Sequence, residues 1–192
     1  MRQLKRLHNP AIYGYRVWQS CWLLMDYIKQ EGLSEGLGIM DIGCGWGLAG
    51  IYCAKNHNSV VTCVDADPKV FPFVDLHSEA NLVEIETRNL TFDQIQAEHF
   101  ENIDVIIGAD ICFWEEMVSP LIMLIDRALA SGVGLVLIAD PGRGPFFRLG
   151  DYFAKNHDGK TMPWRVERPY PVSGSILKVG TRAGGRRRSR MI

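Results

Sequence analysis

The segment DIGCGWGLAG, residues 41–50, decides the fold of this chain. It follows an apolar run that predicts a short strand over 38–42, and it leads into a helix predicted over 48–55. Glycines at such a strand–helix junction let the backbone turn tightly and approach a ligand closely. We therefore expect a binding site at this loop.

Strands and helices alternate on both sides of the loop. Further apolar strands are predicted at 60–64, 83–87, 103–108 and 133–139, and helices at 16–29, 68–81, 115–129 (interrupted or restarted at Pro120) and 146–154. Continuous apolar strands separated by helices predict a parallel sheet covered on both faces. A final antiparallel pair is expected from 164–167 and 175–179.

Composition bounds the class of protein. The chain has 192 residues, 47% of them apolar and 22% charged, which suits one globular domain. No segment approaches the roughly 20 apolar residues of a membrane span, and no apolar stretch of a secretory signal follows the basic N-terminus. The five cysteines lack C-x-x-C spacing, which argues against a zinc site and a disulfide framework. We expect a cytoplasmic protein with no membrane or metal partner.

Basic charge is concentrated at the C-terminus. The last twelve residues hold five arginines and no acid, and the rest of the chain carries 16 basic and 22 acidic residues. We expect residues 1–180 to form the domain, with 1–30 as an N-terminal helix and lid, and 181–192 to be a disordered basic tail. The tail could bind nucleic acid or an acidic partner, but the acidic body makes nucleic acid an unlikely one.

The glycine spacing discriminates between ligands. Glycines stand at 43, 45 and 47, whereas the dinucleotide fingerprint G-x-G-x-x-G would need one at Leu48. Asp41 would also repel an anionic pyrophosphate. S-adenosylmethionine (SAM) has no phosphate and carries an ammonium and a sulfonium, which Asp41 can favour. The loop thus predicts SAM and argues against a nicotinamide-dependent oxidoreductase.

An acid also ends the second predicted strand. Asp65 lies 18 residues after Gly47, where a carboxylate can accept both hydroxyls of a ribose. Asp67 could share that role or cap the helix that opens at Pro68.

Three segments resemble one family. DIGCGWGLAGIYCAK (41–55) and VTCVDAD (61–67) resemble the first two motifs of class I, seven-strand SAM-dependent methyltransferases. GADICFWEEMVSPLIMLIDRAL (108–129), with its D-x-x-F at 110–113, is similar to the nicotinamide-N-methyltransferase-like group, which contains many protein-lysine methyltransferases; Val17-Trp18 matches a further element of that group. The resemblance implies a Rossmann-like three-layer α/β fold with a mostly parallel seven-stranded sheet and an antiparallel terminal strand.

The resemblance also implies site residues. Gly43, Gly45 and Gly47 would lie against the methionine part of SAM, with Asp41 near its amino group and Asp65 on the ribose. The other implied cofactor contacts are Trp46 covering the ligand, Trp18 closing the pocket, Asn89 and Leu90 flanking the adenine, and Ala109 facing the methyl group. Many relatives carry an acid at the adenine, and this chain offers Asn89 and the later Asp93.

The acceptor side would hold Asp110 and Phe113. SAM is already activated, so the protein mainly aligns a nucleophile. An amine acceptor must be neutral, and lysine starts from a pKa of about 10.4. Asp110 would orient that amine and Phe113 would line an apolar channel. Asp110 could instead be a structural cap, and Arg143 could meet an anionic substrate group or be solvated.

The function expected is methyl transfer to a protein side chain, with lysine as the acceptor. The alternative is a small-molecule N- or O-methyltransferase, and a SAM-binding protein without activity is a third possibility. An open, acidic rim around Asp110 would favour a lysine-bearing protein, and a closed pocket would favour a metabolite. The chain lacks N-P-P-Y after the fourth strand, which argues against methylation of bases or glutamine.

Overall fold

Seven strands in the described part of the chain form one sheet. The computed structural model describes residues 7–8, 10, 13–168 and 171–180, so the predicted tail at 181–192 lies outside the described residues. The strands are β1 (Gly38–Ile42), β2 (Val60–Asp65), β3 (Glu86–Asn89), β4 (Val105–Ala109), β5 (Leu135–Asp140), β6 (Lys160–Val166) and β7 (Val172–Val179). The helices are α1 (Ser20–Glu31), α2 (Leu48–His57), α3 (Phe71–Asn81), α4 (Val118–Ala130) and α5 (Gly144–Asn156).

The strand order is β3-β2-β1-β4-β5-β7-β6. The first five strands in that order are parallel, and β7 runs antiparallel to both β5 and β6. The predicted mostly parallel seven-stranded sheet with an antiparallel end is thus confirmed. Chain order reverses between β1 and β4, and ligands of such sheets bind outside the carboxyl ends of the strands near that point.

Alternate strand residues supply two apolar layers. Ile39 and Ile107 pack with Leu23 and Leu24 of α1 on one face of the sheet. On the other face, residues such as Met40, Ile106, Leu121 of α4 and Phe146 of α5 form the second layer. Successive strand side chains point to opposite faces, so a sheet that is buried on both sides must be apolar throughout. This gives the expected three-layer arrangement.

Several element boundaries differ from the sequence expectation. The first helix begins at Ser20, not at residue 16, because the Asp110 carboxylate accepts the Ser20 N–H and fixes the helix start. The third strand covers 86–89 instead of 83–87, since it pairs only with β2 and takes its register from it. The helix expected from Pro68 begins as a 3₁₀ turn over 68–70.

The last hairpin is longer than expected. Strand β6 starts at Lys160 and includes Pro163, which an edge strand tolerates because one side of it makes no ladder hydrogen bonds. Among the described residues, none of the helices combines the length and apolar character needed to cross a membrane. The expectation of a 1–180 domain stays a prediction.

Candidate active site

A cavity of about 400 Å³ opens among the loops that follow the parallel strands. Its lining includes Gly43 and Gly45 after β1, Asp65 and Ala66 at β2, Leu90 to Asp93 after β3, Ala109 to Ile111 after β4, and Tyr13, Gly14, Trp18, Phe113, Trp114, Met117 and Pro120. Of the predicted site residues, the structure brings Trp18, Gly43, Gly45, Asp65, Leu90, Ala109, Asp110 and Phe113 onto this cavity.

The glycine loop takes a conformation that requires glycine. Gly43, Gly45 and Gly47 all have positive φ, between 53° and 72°. At Gly43 a Cβ would also lie 2.6 Å from Cγ2 of Ile111, in the loop after β4. A side chain would therefore be strained and would close the gap between the loops after β1 and β4. Gly47 precedes α2 and lies away from the cavity lining.

Asp65 joins the glycine loop to the end of β2. Its Oδ2 accepts the Gly45 N–H at 2.9 Å and its Oδ1 accepts the Asp67 N–H at 2.9 Å. A carboxylate has about four lone-pair positions, so each oxygen keeps one for a ligand. Burial raises the pKa of Asp65, and the backbone N–H groups of Asp67, Gly45 and Ala66 oppose that shift. Asp67 accepts the Lys69 N–H at the start of the 3₁₀ turn, as expected for the helix cap that the sequence offered.

The loop after β3 differs from the prediction at Asn89. Its side-chain amide donates to the carbonyls of Asp65 and Ala66, so it supports the β2 turn and is not part of the cavity lining. The acid at this end of the cavity is Asp93, which accepts a hydrogen bond from Thr91 Oγ1 at 2.7 Å. That hydrogen bond lowers the pKa of Asp93.

Asp41 lies beneath the loop, away from the cavity lining. It is 2% exposed, and its Oδ2 accepts the Gly50 N–H at the start of α2. Burial raises the pKa of Asp41 to about 7, the Gly50 hydrogen bond opposes the shift, and the charge of Asp65 adds to it. The carboxylate predicted near an amino group thus holds the strand–helix junction together in this structure.

We expect the buried Asp41 to make the stability of the protein depend on pH. Its folded pKa of about 7 lies above its unfolded value near 3.8, so its favourable contribution is complete below about pH 4 and is lost as pH rises through 7. Asparagine at position 41 cannot ionise. We therefore expect the free energy of unfolding of Asp41→Asn to rise relative to that of the wild type, by up to about 4 kcal/mol, as the pH increases from about 4 to about 8. Urea unfolding of both proteins across that range measures this. Parallel stability curves for the two proteins would contradict it.

Trp46 points away from the cavity, against the expectation that it covers the ligand. Its ring stacks on Phe73 with centroids 4.7 Å apart, and its indole N–H donates to the carbonyl of Gly14 at 2.7 Å. The indole is buried between α3 and the N-terminal segment. The sequence carries no local signal for this contact, because Gly14 and Trp46 lie 32 positions apart.

The residues that cover the cavity come from this N-terminal segment. Tyr13 stacks on Phe113 with ring centroids 5.0 Å apart, and Trp18 meets Phe113 edge-on at 5.3 Å. The Trp18 indole N–H donates to the carbonyl of Tyr13 at 2.9 Å. Trp18 therefore lies where the prediction has it close the pocket, in the loop before α1 rather than in a helix.

Asp110 belongs to a buried charged group beside the cavity. Its Oδ1 pairs with Arg143 at 2.7 Å and its Oδ2 accepts the Ser20 N–H at 3.0 Å. Arg143 also pairs with Asp140 at 2.8 Å, and its guanidinium lies 4.3 Å from the Phe113 ring centre. Asp110 is only 4% exposed and has a φ of 59°, a strained value that these contacts hold in place.

Arg143 takes neither of the two roles considered for it from the sequence, contact with an anionic substrate group or with solvent, since it pairs with Asp110 and Asp140. The sequence carries no local signal for its pairing with Asp110, 33 positions away. Asp140 is fully buried and accepts the N–H groups of Gly142 and Arg143. Burial raises the pKa of Asp140, while these N–H groups and the Arg143 charge oppose the shift.

Comparisons with known proteins agree on the class. A profile of the lysine methyltransferase family matches residues 7–143. A ubiquinone biosynthesis O-methyltransferase of Cereibacter sphaeroides is 33% identical over 134 residues, which cover 63% of this chain and 53% of that protein. A histidine protein methyltransferase 1 homolog of Dictyostelium discoideum is 36% identical over 64 residues, which cover 32% of this chain and 20% of that protein.

The fold has solved counterparts as well. A human methyltransferase 10 domain containing protein superposes with a TM-score of 0.61 at 9% identity, covering 93% of both chains. At that identity the likeness concerns the fold alone. The chain spans about half the length of the curated relatives from Cereibacter sphaeroides. By its family profile, its sheet and its glycine loop, this chain belongs to the lysine methyltransferase family of SAM-dependent methyltransferases.

Proposed function

We propose that this protein methylates the side-chain amine of a lysine in a protein substrate. One observation carries the proposal. Exposed aromatic residues, Tyr13 and Trp114, line the cavity, whereas Asp110, which also lines it, is almost completely buried. A long, slender side chain with an apolar stem and a polar end can pass the exposed rings and reach the buried carboxylate.

The cavity residues fit SAM as the methyl donor. Asp65 keeps an acceptor position on each carboxylate oxygen for the two ribose hydroxyls. Gly43 and Gly45 present backbone without side chains to the cavity, and Leu90 and Asp93 offer an apolar surface and an acceptor for the adenine. The bound SAM would supply a methyl group already activated on a sulfonium.

The protein then has to hold a neutral amine in line with the bond between the sulfur and the methyl group of SAM. A free carboxylate next to the amine would favour its protonated form. Asp110 is paired with Arg143 and accepts the Ser20 N–H, so its charge is compensated. It can still accept a hydrogen bond from an amine and orient it, while Phe113 and Trp18 exclude water from that end.

A small-molecule acceptor is the second candidate. An open acidic rim around Asp110 was the feature expected for a lysine-bearing substrate, and the burial and pairing of Asp110 do not provide it. The aromatic walls would also suit a flat ring, and the similar protein of Cereibacter sphaeroides is named an O-methyltransferase. That nucleic acid is an unlikely partner stays a prediction.

Transfer of a labelled methyl group tests the proposal. The purified protein is incubated with tritiated SAM and dialysed or undialysed cell extract, with heat-inactivated protein as control. We expect label in macromolecules in both extracts, recovered as methyl-lysine after acid hydrolysis. Label recovered as methyl-histidine would overturn the lysine assignment, and label only in the undialysed small-molecule fraction would favour the second candidate.

A further inference from the structure

The indole of Trp46 connects the glycine loop to residues 13–18, which we call the cover segment. Its N–H donates to the Gly14 carbonyl at 2.7 Å, in a buried hydrogen bond between residues 32 positions apart. Gly45, the neighbour of Trp46, donates its backbone N–H to Asp65. The glycine loop therefore contacts both Asp65, which we propose binds the cofactor, and the cover segment.

The indole is itself held in a fixed orientation. It stacks on Phe73 at an interplanar angle of 6°, and the His77 ring lies on it at 5.9 Å. Both partners belong to α3, which packs against α2. The N–H is therefore aimed at one place, and the Gly14 carbonyl must come to that place to satisfy it.

The cover segment fits closely at Gly14. A Cβ on this residue would lie 2.5 Å from Cγ1 of Val70, which is fully buried. The backbone passes directly over the core at this point, and no side chain can be accommodated without displacing it.

At its other side the cover segment forms the acceptor end of the cavity. Tyr13 stacks on Phe113 at 5.0 Å, and Trp18 donates its N–H to the Tyr13 carbonyl. Phe113 in turn lies against the Arg143 guanidinium that holds Asp110. One hydrogen bond from Trp46 thus links the cofactor loop, the cover segment and the acceptor residues.

We propose that Trp46 is a positioning residue, which holds the cover segment closed over the bound cofactor and limits the rate at which the product S-adenosylhomocysteine (SAH) leaves. This rests on the proposed function, since it requires SAM and SAH to occupy the cavity. Closed covers of this kind exclude water and commonly limit product release.

The test compares two tryptophan-to-phenylalanine variants. Trp46→Phe keeps a ring on Phe73 but loses the N–H. Trp164→Phe is the matched control, because the Trp164 indole also donates one hydrogen bond, to Asp26 at 3.0 Å, and packs on Tyr27, but lies outside the cavity lining. Radiolabelled SAH is bound to each protein and displaced with excess unlabelled SAH.

We expect Trp46→Phe to release SAH roughly tenfold faster than the wild type, the factor that corresponds to one hydrogen bond. The Trp164→Phe protein should release it within about twofold of the wild-type rate. Hydrogen exchange should rise in residues 13–18 of Trp46→Phe alone. A merely structural role would lower the melting temperature of both variants and leave both release rates unchanged.

Gly14→Ala disturbs the same contact through the cover segment rather than through Trp46. It keeps the inference testable if Trp46→Phe does not fold. It too should release SAH faster, because its Cβ pushes the cover segment off Val70. If SAH binds but leaves folded Trp46→Phe and Gly14→Ala at the wild-type rate, the inference is wrong and the proposed function stands. A folded wild type that does not bind SAH would overturn both.

Discussion

Asp65→Ala should bind SAH at least about 100-fold more weakly than the wild type. The carboxylate offers one free acceptor position on each oxygen, and two ribose hydroxyls would fill them. Each hydrogen bond to a charged group contributes about 1.5–3 kcal/mol, and 1.4 kcal/mol is a factor of ten in affinity. Isothermal titration calorimetry with SAH measures the loss.

Asp67→Asn is the matched control for this substitution. Asp67 lies two residues away, caps the turn at Pro68 and lies outside the cavity lining, and asparagine can accept the same Lys69 N–H. This variant should bind SAH within about threefold of the wild type. Similar affinities for Asp65→Ala and the wild type, with both proteins folded by circular dichroism, would remove Asp65 from the cofactor site.

Removal of the Arg143 guanidinium should destabilise the protein by about 3 kcal/mol, because Arg143→Ala leaves two buried carboxylates without their cation. Asp110 and Asp140 are 4% and 0% exposed and both pair with Arg143. Since burial already raises the pKa of Asp140, the loss should grow from pH 5 to pH 8, as more carboxylate must ionise in the folded state. Urea unfolding at several pH values measures it.

Arg148→Ala provides the comparison. Arg148 pairs with Glu115 and both side chains are more than half exposed, so this substitution should cost less than about 1 kcal/mol. An Arg143→Ala protein as stable as Arg148→Ala at pH 8 would show that the buried group does not depend on its arginine. Arg143→Ala should also lower the rate of methyl transfer by a larger factor than the affinity for SAH. Arg143 contacts Asp110 and Phe113 but does not line the cavity.

Local sequence patterns predicted much of the fold. Strands β1, β2, β4 and β5 are largely buried and mostly apolar, with Asp41 in β1 and Thr62 in β2 as buried polar exceptions, so each can be recognised from its own residues. The glycines at 43, 45 and 47 need positive φ because of the turn they make themselves. Strand β3 was less well placed, since it is a partly exposed edge strand with a polar sequence.

Residue positions were predicted best where the end of a strand decides them. Asp65 ends β2 and meets Gly45 because neighbouring parallel strands end together. Asp41 and Trp46 belong to the same motif, but whether their side chains face the ligand or the protein depends on α2, α3 and the cover segment.

The sequence by itself determined the order of strands and helices, the glycine loop and the acid at the end of β2, because periodic burial and backbone conformation depend on neighbouring residues. Only the tertiary structure decided that Asp110 is shared between Ser20 and Arg143, that Tyr13 stacks on Phe113, and that Trp46 holds Gly14. These contacts join residues 32 to 100 positions apart. Their geometry depends on how the loops converge at one edge of the sheet, which no local pattern encodes.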